Sequence, residues 1–164
     1  MIHILGEKSN SKLTEVQDGD SQPNAIDLRL GKVFLINSKV FELSEEFKSH
    51  RGTYELLPID DWYSLSEGTY EVVMENIVTV GADEAGWVIT RSTLNRNGVF
   101  ITSGLYDSGY NGVMAGAMHV RGGPLRIKKG TRVAQFLLFK AEALTLYNGS
   151  YGLNSEHDKK YIKE

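Results

Sequence analysis

The sequence predicts an all-β protein of one domain, a sandwich or barrel. Two observations carry this. Short apolar, β-branched stretches recur along the chain, and glycine or another turn former interrupts them about every 8 to 12 residues. The chain has 164 residues, 41% hydrophobic and 24% charged, enough for one sizeable core and too apolar for a wholly disordered polymer. Most of the 17 glycines read as turn residues that adopt positive φ.

Residues 10–24, NSKLTEVQDGDSQPN, are polar and rich in turn formers, and read as a loop or tethered arm. AIDLRLGKVFLI, from Ala25, alternates and reads as a strand with a glycine turn. ELSEEFKSH, residues 42–50, reads as one helical turn or a charged loop, and ELLPI as a short strand ended by proline. DDWYSLSEGTYEVVMENIVTV reads as turn, strand, glycine turn and long strand. GWVITRSTL is a strand entering a polar turn, and GVFITSGLYDSGYNGVMAGAMHV is two strands around a glycine-rich hairpin. GGPLRIKKGTRVAQFLLFKAEALTLY holds two or three more strands. The polar remainder ends in SEHDKKYIKE, expected to be helical or disordered. The expected division is a β domain with its N-terminal arm over residues 1–152 and a polar tail over 153–164 able to act as a lid. No internal repeat or low-complexity tract is present.

The absence of cysteine excludes disulfides, thiolate metal sites and cysteine nucleophiles. His3, His50, His119 and His157 lie far apart, without ligand spacing. No apolar run reaches the roughly 18 residues of a membrane helix, and the first residues, MIHILGEKSNSK, lack the basic and apolar regions of a secretory signal. A cytoplasmic setting without membrane contact is expected. Net charge is −3, but its distribution is uneven. The 56 residues from Gly86 to Ala141 carry eight basic side chains and one acid, Asp107, for a charge of +7; the rest of the chain carries −10. A basic half on an acidic protein points to an anionic ligand, although any single Lys or Arg reads equally as a solvated strand residue.

Four constellations hold the candidate chemistry. Arg91, Ser92, Thr93 and Arg96 follow a strand; guanidinium forks, hydroxyls and turn N–H groups suit a phosphate chain. The same residues also read as a helix N-cap. Asp107, in Gly104–Gly112, is a carboxylate in a basic environment, where nearby cations favour its ionised, proton-accepting form. The stretch is also good hairpin-turn sequence. Tyr110 reads as a core aromatic or as a ring facing a ligand. Gln135 is a polar residue in an apolar strand, so its amide needs a partner from ligand or cross-strand backbone. Tyr151, in a glycine-spaced aromatic tail, fits a closing lid or a frayed end. Neither of the glycine-rich nucleotide fingerprints, Gly-x-x-x-x-Gly-Lys-Ser/Thr or Gly-x-Gly-x-x-Gly, occurs.

The order of these segments resembles the dUTPase and dCTP deaminase superfamily over about Gln22 to Gly152. QPNAIDLRLG is similar to its first motif in the deaminase spelling. ENIVTVGADEAGWVITRSTLNRNG is similar to the deaminase stretch leading into the phosphate-binding Arg-Ser-Ser motif. GLYDSGYNG resembles the dUTPase third motif, Gly-x-Ile-Asp-x-x-Tyr-x-Gly, and KKGTRVAQF the fourth, Lys-Gly-Asp-Arg-Ile-Ala-Gln-Leu. The resemblance implies a distorted jelly-roll or β-barrel that forms a homotrimer, with sites between subunits and one chain's tail closing over another's pocket.

It further implies a pyrimidine deoxynucleoside triphosphate pyrophosphatase, with dUTP going to dUMP and pyrophosphate. Asp107 would activate the water that attacks the α-phosphorus. Tyr110 would lie under the sugar and exclude a 2′-hydroxyl. Arg91, Ser92, Thr93, Arg96 and Gln135 would hold the phosphates. Ser103 and Gly104 would belong to the base-reading hairpin, and Tyr151 would be the tail aromatic. Mg²⁺ would be held mainly by the triphosphate with waters completing its octahedron, and Asp27 would support the site and its water shell. No nucleic-acid polymer is implied as a partner.

Several departures keep other readings open. In dCTP deaminases a glutamate lies ten residues after the third-motif aspartate and shuttles the proton; here that position is Ala117, and losing such a group costs about 10²–10⁴-fold in rate. The hairpin segment VFITSGLY is shorter than the deaminase pattern, which leaves cytosine or a modified pyrimidine open as the base. The second motif reads Arg-Ser-Thr rather than the dUTPase Arg-Ser-Gly, the dUTPase glycine-rich tail with arginine and phenylalanine is missing, and NGSYG is nearer the deaminase tail. The deaminase N-terminal helical region is shortened. The alternatives are a dCTP deaminase and a non-catalytic nucleotide-binding regulatory trimer.

Overall fold

A computed structural model describes residues 8–162. The first residues of the expected arm and the last two of the tail lie outside that range. The elements are β1 (Lys12–Leu13), β2 (Ser21–Gln22), β3 (Ala25–Ile36), β4 (Glu42–Leu43), β5 (Lys48–Ser49), β6 (Thr53–Leu56), β7 (Trp62–Leu65), β8 (Gly68–Thr79), β9 (Glu84–Thr90), α1 (Ser92–Asn95), β10 (Val99–Thr102), β11 (Leu105–Tyr106), β12 (Asn111–Val120), β13 (Leu125–Lys128), β14 (Arg132–Lys140) and α2 (Lys159–Ile162). Ten strands form one sheet along the path β10-β12-β8-β3-β14-β9-β11, with β1 on β8 and β2 and β6 on β3; the β13–β7 and β4–β5 pairs stand apart. The all-β expectation holds.

The long strand β3 organises the sheet. Its first half pairs with β14, Ile26 facing Phe136 and Asp27 facing Gln135. Its second half pairs with β8, from Leu30 facing Met74 to Leu35 facing Tyr70. The change of partner falls at a bulge around Gly31. A Cβ there would stand 3.0 Å from the Val73 carbonyl oxygen, so the close backbone approach needs glycine. This corrects the expected glycine turn: the chain does not reverse, and one strand crosses between two halves of a curled sheet. The far ends of the path then meet through Thr90, whose hydroxyl accepts from the Ile101 N–H at 2.7 Å and donates to the Ile101 carbonyl at 2.9 Å.

Alternation sends Leu28, Leu30, Val33, Val72, Met74, Met114, Met118, Phe136 and Leu138 into the core. Gly86 leaves the space that the Phe136 ring fills; a Cβ there would come within 2.0 Å of it. Phe34, Val73 and Val113 lie in a second cluster with Tyr161 of α2. Residues 42–50 form the small β4–β5 hairpin rather than a helical turn, because the Ser44 Oγ accepts the N–H groups of Glu46 and Phe47 and turns the chain back. The arm is tethered. Fully buried Glu84 accepts from the Asn10 N–H at 3.0 Å, the Ser9 hydroxyl at 3.0 Å and the Ser11 hydroxyl at 2.5 Å. Burial pushes the Glu84 pKa up, but these hydrogen bonds outweigh it and leave it below the usual value.

Asp20 is also fully buried. It accepts from Arg29 at 2.6 and 3.0 Å and from the Gln17 N–H at 3.0 Å. The Arg29 hydrogen bonds hold its carboxyl below the ordinary 3.8. A depressed folded pKa gives stability that is complete above the unfolded value and is lost as pH falls through the folded one. Asp20→Asn is therefore expected to lower stability by about 3 kcal/mol at neutral pH, by leaving a guanidinium without its counter-charge, and to flatten the stability loss below about pH 4. Urea unfolding at neutral and acid pH measures both; an unchanged neutral midpoint would show that the pair is idle.

Candidate functional site

Asp27, on β3, is fully buried. Its register partner Gln135, on β14, donates from Nε2 to Oδ1 at 3.0 Å. Arg132 donates to Oδ2 at 3.3 Å and to the Gly19 carbonyl at 2.9 Å. The Arg91 Nε stands 3.5 Å from the same oxygen, and Arg91 also donates to the Arg132 carbonyl at 3.2 Å. One carboxylate thus holds two guanidiniums and an amide, and the Arg91 and Arg132 side chains remain 30% and 36% exposed. The excess of positive charge faces solvent, the arrangement an anion needs.

Arg91 directly follows β9, and its N–H donates to the Val133 carbonyl at 3.1 Å. It occupies the N-cap position of α1 without a side-chain capping bond. Ser92 and Thr93 therefore do not cap the helix: they lie exposed on its first turn, and Arg96 is exposed at its end. The Gln135 amide finds its partner across the strand pair, but in the Asp27 carboxylate rather than in the expected backbone.

A cavity of about 550 Å³ lies elsewhere on the chain. Gly104, Tyr106, Tyr110, Ala117, Tyr151 and Glu71 line it. Tyr110 is both a core aromatic and a cavity wall. Its ring packs 5.4 Å from Tyr106 and 5.3 Å from Tyr147, and its hydroxyl donates to the Val113 carbonyl at 2.8 Å. Burial pushes both the Tyr106 and Tyr110 hydroxyls up, so they are neutral. Ser103 lies beside the cavity and donates to the Gly104 carbonyl at 2.9 Å. Asp107 occupies the adjoining turn; its carbonyl accepts the Tyr110 N–H at 3.0 Å, and its exposed carboxylate has no side-chain partner among the described residues. Tyr151 is half-exposed on the tail that folds over this face.

Within one chain the structure therefore gathers two groups. Asp27, Arg91 and Gln135 meet at the arginine cluster, with Ser92, Thr93 and Arg96 on α1 beside it. Gly104, Tyr110 and Tyr151 meet at the cavity, with Ser103 and Asp107 at its margin. None of the arginine-cluster residues lines the cavity. Sequence reasoning missed Arg132, although it lies within the KKGTRVAQF segment. Regular alternation puts residues three apart on opposite faces, but a register shift between Arg132 and Ala134 brings Arg132 and Gln135 to the same carboxylate. Glu71 was also missed.

Comparison with known proteins identifies the family and the fold. The family model described as dCTP deaminase-like matches residues 2–141. The chain belongs to this dCTP deaminase-like family. A Methanopyrus kandleri protein named a probable deoxyuridine 5′-triphosphate nucleotidohydrolase is 31% identical over 160 residues, 91% of this chain and 99% of that one. The Methanocaldococcus jannaschii deoxyuridine 5′-triphosphate nucleotidohydrolase is 28% identical over 153 residues, covering 90% and 97%. Among solved structures, the 2′-deoxycytidine 5′-triphosphate deaminase of Agrobacterium tumefaciens superposes with a TM-score of 0.62 at 20% identity, over 82% of this chain and 45% of the deaminase. A dUTPase from phage phi11 of S. aureus gives 0.53 at 10% identity, over 88% and 99%. Family members of both kinds thus share this curled sheet. Among the described residues no helix is long and apolar enough to cross a membrane.

Among the described residues no group of three or more His, Asp or Glu could hold a metal ion. Both Asp27 oxygens already accept protein donors. These donors do not make a protein cage for a cation. Their guanidiniums suit an anion, which could bring its own cation.

Proposed function

We propose that this protein is a pyrimidine deoxynucleoside triphosphate pyrophosphatase that converts dUTP to dUMP and pyrophosphate in a cytoplasmic setting. The observation that carries this reading is that the chain holds both an anion-seeking cluster on Asp27 and a solvent-facing carboxylate at Asp107 that has no side-chain partner among the described residues. The names of the archaeal relatives support the substrate. Arg91, Arg132, Ser92, Thr93, Arg96 and Gln135 bind the phosphates. Asp107 accepts a proton from water as the water oxygen bonds to the α-phosphorus, and the bond to the bridging oxygen breaks to release pyrophosphate. Tyr110, fixed by Val113 and its ring neighbours, packs beneath the sugar.

Mg²⁺ on the triphosphate would neutralise charge developing on the phosphate oxygens. Asp27 would serve it indirectly, by aiming the guanidiniums that hold the phosphates and supporting the water shell of the ion. Because the two groups of residues are separate in one chain, we infer a homotrimer whose sites combine them from neighbouring subunits. Deamination of dCTP is disfavoured by Ala117, a methyl group lining the cavity at the position of the family's proton-shuttling glutamate.

Incubation with Mg²⁺ and dUTP, dCTP or dTTP, resolved by ion-exchange chromatography, is expected to yield monophosphate from dUTP. Conversion of dCTP to dUTP would establish the deaminase instead. Tight binding without turnover of any of the three would identify a nucleotide-binding regulator.

A further inference from the structure

The cavity ends in a polar group that the hydrolytic reading leaves unused. Glu71, on β8, stands directly opposite Ala117 of β12. Its side chain is only 17% exposed. Lys160 donates to its two oxygens at 2.9 and 3.1 Å and to the Thr53 hydroxyl at 3.2 Å. The Tyr161 hydroxyl donates to the same carboxylate. Burial, reinforced by that hydrogen bond, pushes the Tyr161 hydroxyl up, so it stays a donor. A carboxylate has about four lone-pair sites. Three are occupied, so one is left to a ligand.

The rest of the cavity defines what that ligand is. Its floor beside Glu71 is short-sided, Ala115 and Ala117, and its walls are the rings of Tyr106, Tyr110 and Tyr151. Such a slot takes a flat ring. Glu71 and Asp158 face Lys160 and Arg51 around it, with His50 and His157 beside them, so it lacks the concentrated positive charge of the arginine cluster. The occupant is neutral and presents an N–H to an acceptor.

We propose that Glu71, positioned by Lys160 and Tyr161 of the C-terminal segment, is the specificity residue that reads the base, accepting an edge N–H from a pyrimidine ring over Ala115 and Ala117. This rests on the nucleotide reading of the site. The same chemistry serves the ring N–H of uracil or the amino group of cytosine.

Calorimetric titration of the wild type, Glu71→Gln and Tyr161→Phe with inorganic tripolyphosphate, dUMP and dCMP in magnesium buffer tests it. Glu71→Gln keeps an acceptor oxygen but loses the charge, and is expected to weaken the preferred monophosphate about tenfold, the usual difference between a charged and a neutral hydrogen-bond acceptor. Tyr161→Phe, which keeps the ring packed on Phe34, is expected to weaken it a few-fold. Tripolyphosphate affinity should stay within about twofold for both, because the arginine cluster is elsewhere. Whether dUMP or dCMP shows the loss identifies the N–H. Unchanged monophosphate affinity in both variants would overturn the assignment. Wild-type binding of tripolyphosphate with neither monophosphate would overturn it while sparing the phosphate site. Binding of none of the three would remove the nucleotide reading itself.

Discussion

Asp107→Asn is expected to reduce kcat for dUTP by about a thousandfold, within the range lost with a positioned general base. The amide is nearly isosteric but cannot take a proton from water. In the chain the Asp107 carboxylate is exposed and has no side-chain partner among the described residues, so the substitution breaks no internal contact. Thermal stability should change by less than about 0.5 kcal/mol, and the affinity for a non-hydrolysable dUTP analogue should stay within a few-fold. A loss confined to kcat separates chemistry from binding. Full turnover by the variant would assign the base elsewhere.

Asp27→Ala is the opposite case, with stability and activity falling together. The substitution strands Arg91, Arg132 and Gln135, which all converge on this carboxylate. Removing one partner of a buried ionic cluster costs about 3–5 kcal/mol; because both guanidiniums are about one-third exposed, the lower end applies. Phosphate affinity should fall as well, since freed guanidiniums lose the orientation that makes a fork. Asp27→Asn refines the result. Its carbonyl oxygen still accepts from Gln135, so it should recover part of the stability but little of the arginine alignment. Urea unfolding and tripolyphosphate titration of both variants separate these effects. Native stability in Asp27→Ala would show that the cluster is not held through this residue.

The long strands were legible because AIDLRLGKVFLI and GTYEVVMENIVT are apolar and β-branched runs bounded by turn formers; the burial of Phe34 and Val73 on their second face, in the cluster with Tyr161, was not. Gly31 misled because a glycine needed for close backbone approach looks the same in sequence as one needed for a turn. The β4–β5 hairpin is largely exposed and lacks an alternating signature. The site was legible where its residues are contiguous, as in Arg91–Arg96 and Gly104–Gly112. Arg132 was hidden by the shifted register of its own strand. Glu71 was hidden because its partners, Lys160 and Tyr161, come from about ninety residues away, a contact only the folded tail creates. The tail looked polar, yet Tyr161 is buried against Phe34, ring centroids 5.7 Å apart.

Turnover of dUTP and dCTP in ¹⁸O-labelled water, read by mass spectrometry, tests the central claim most directly. Attack on the α-phosphorus predicts one labelled oxygen in the nucleoside monophosphate and unlabelled pyrophosphate. Label in the pyrophosphate, or on the pyrimidine ring of a triphosphate product, would contradict it.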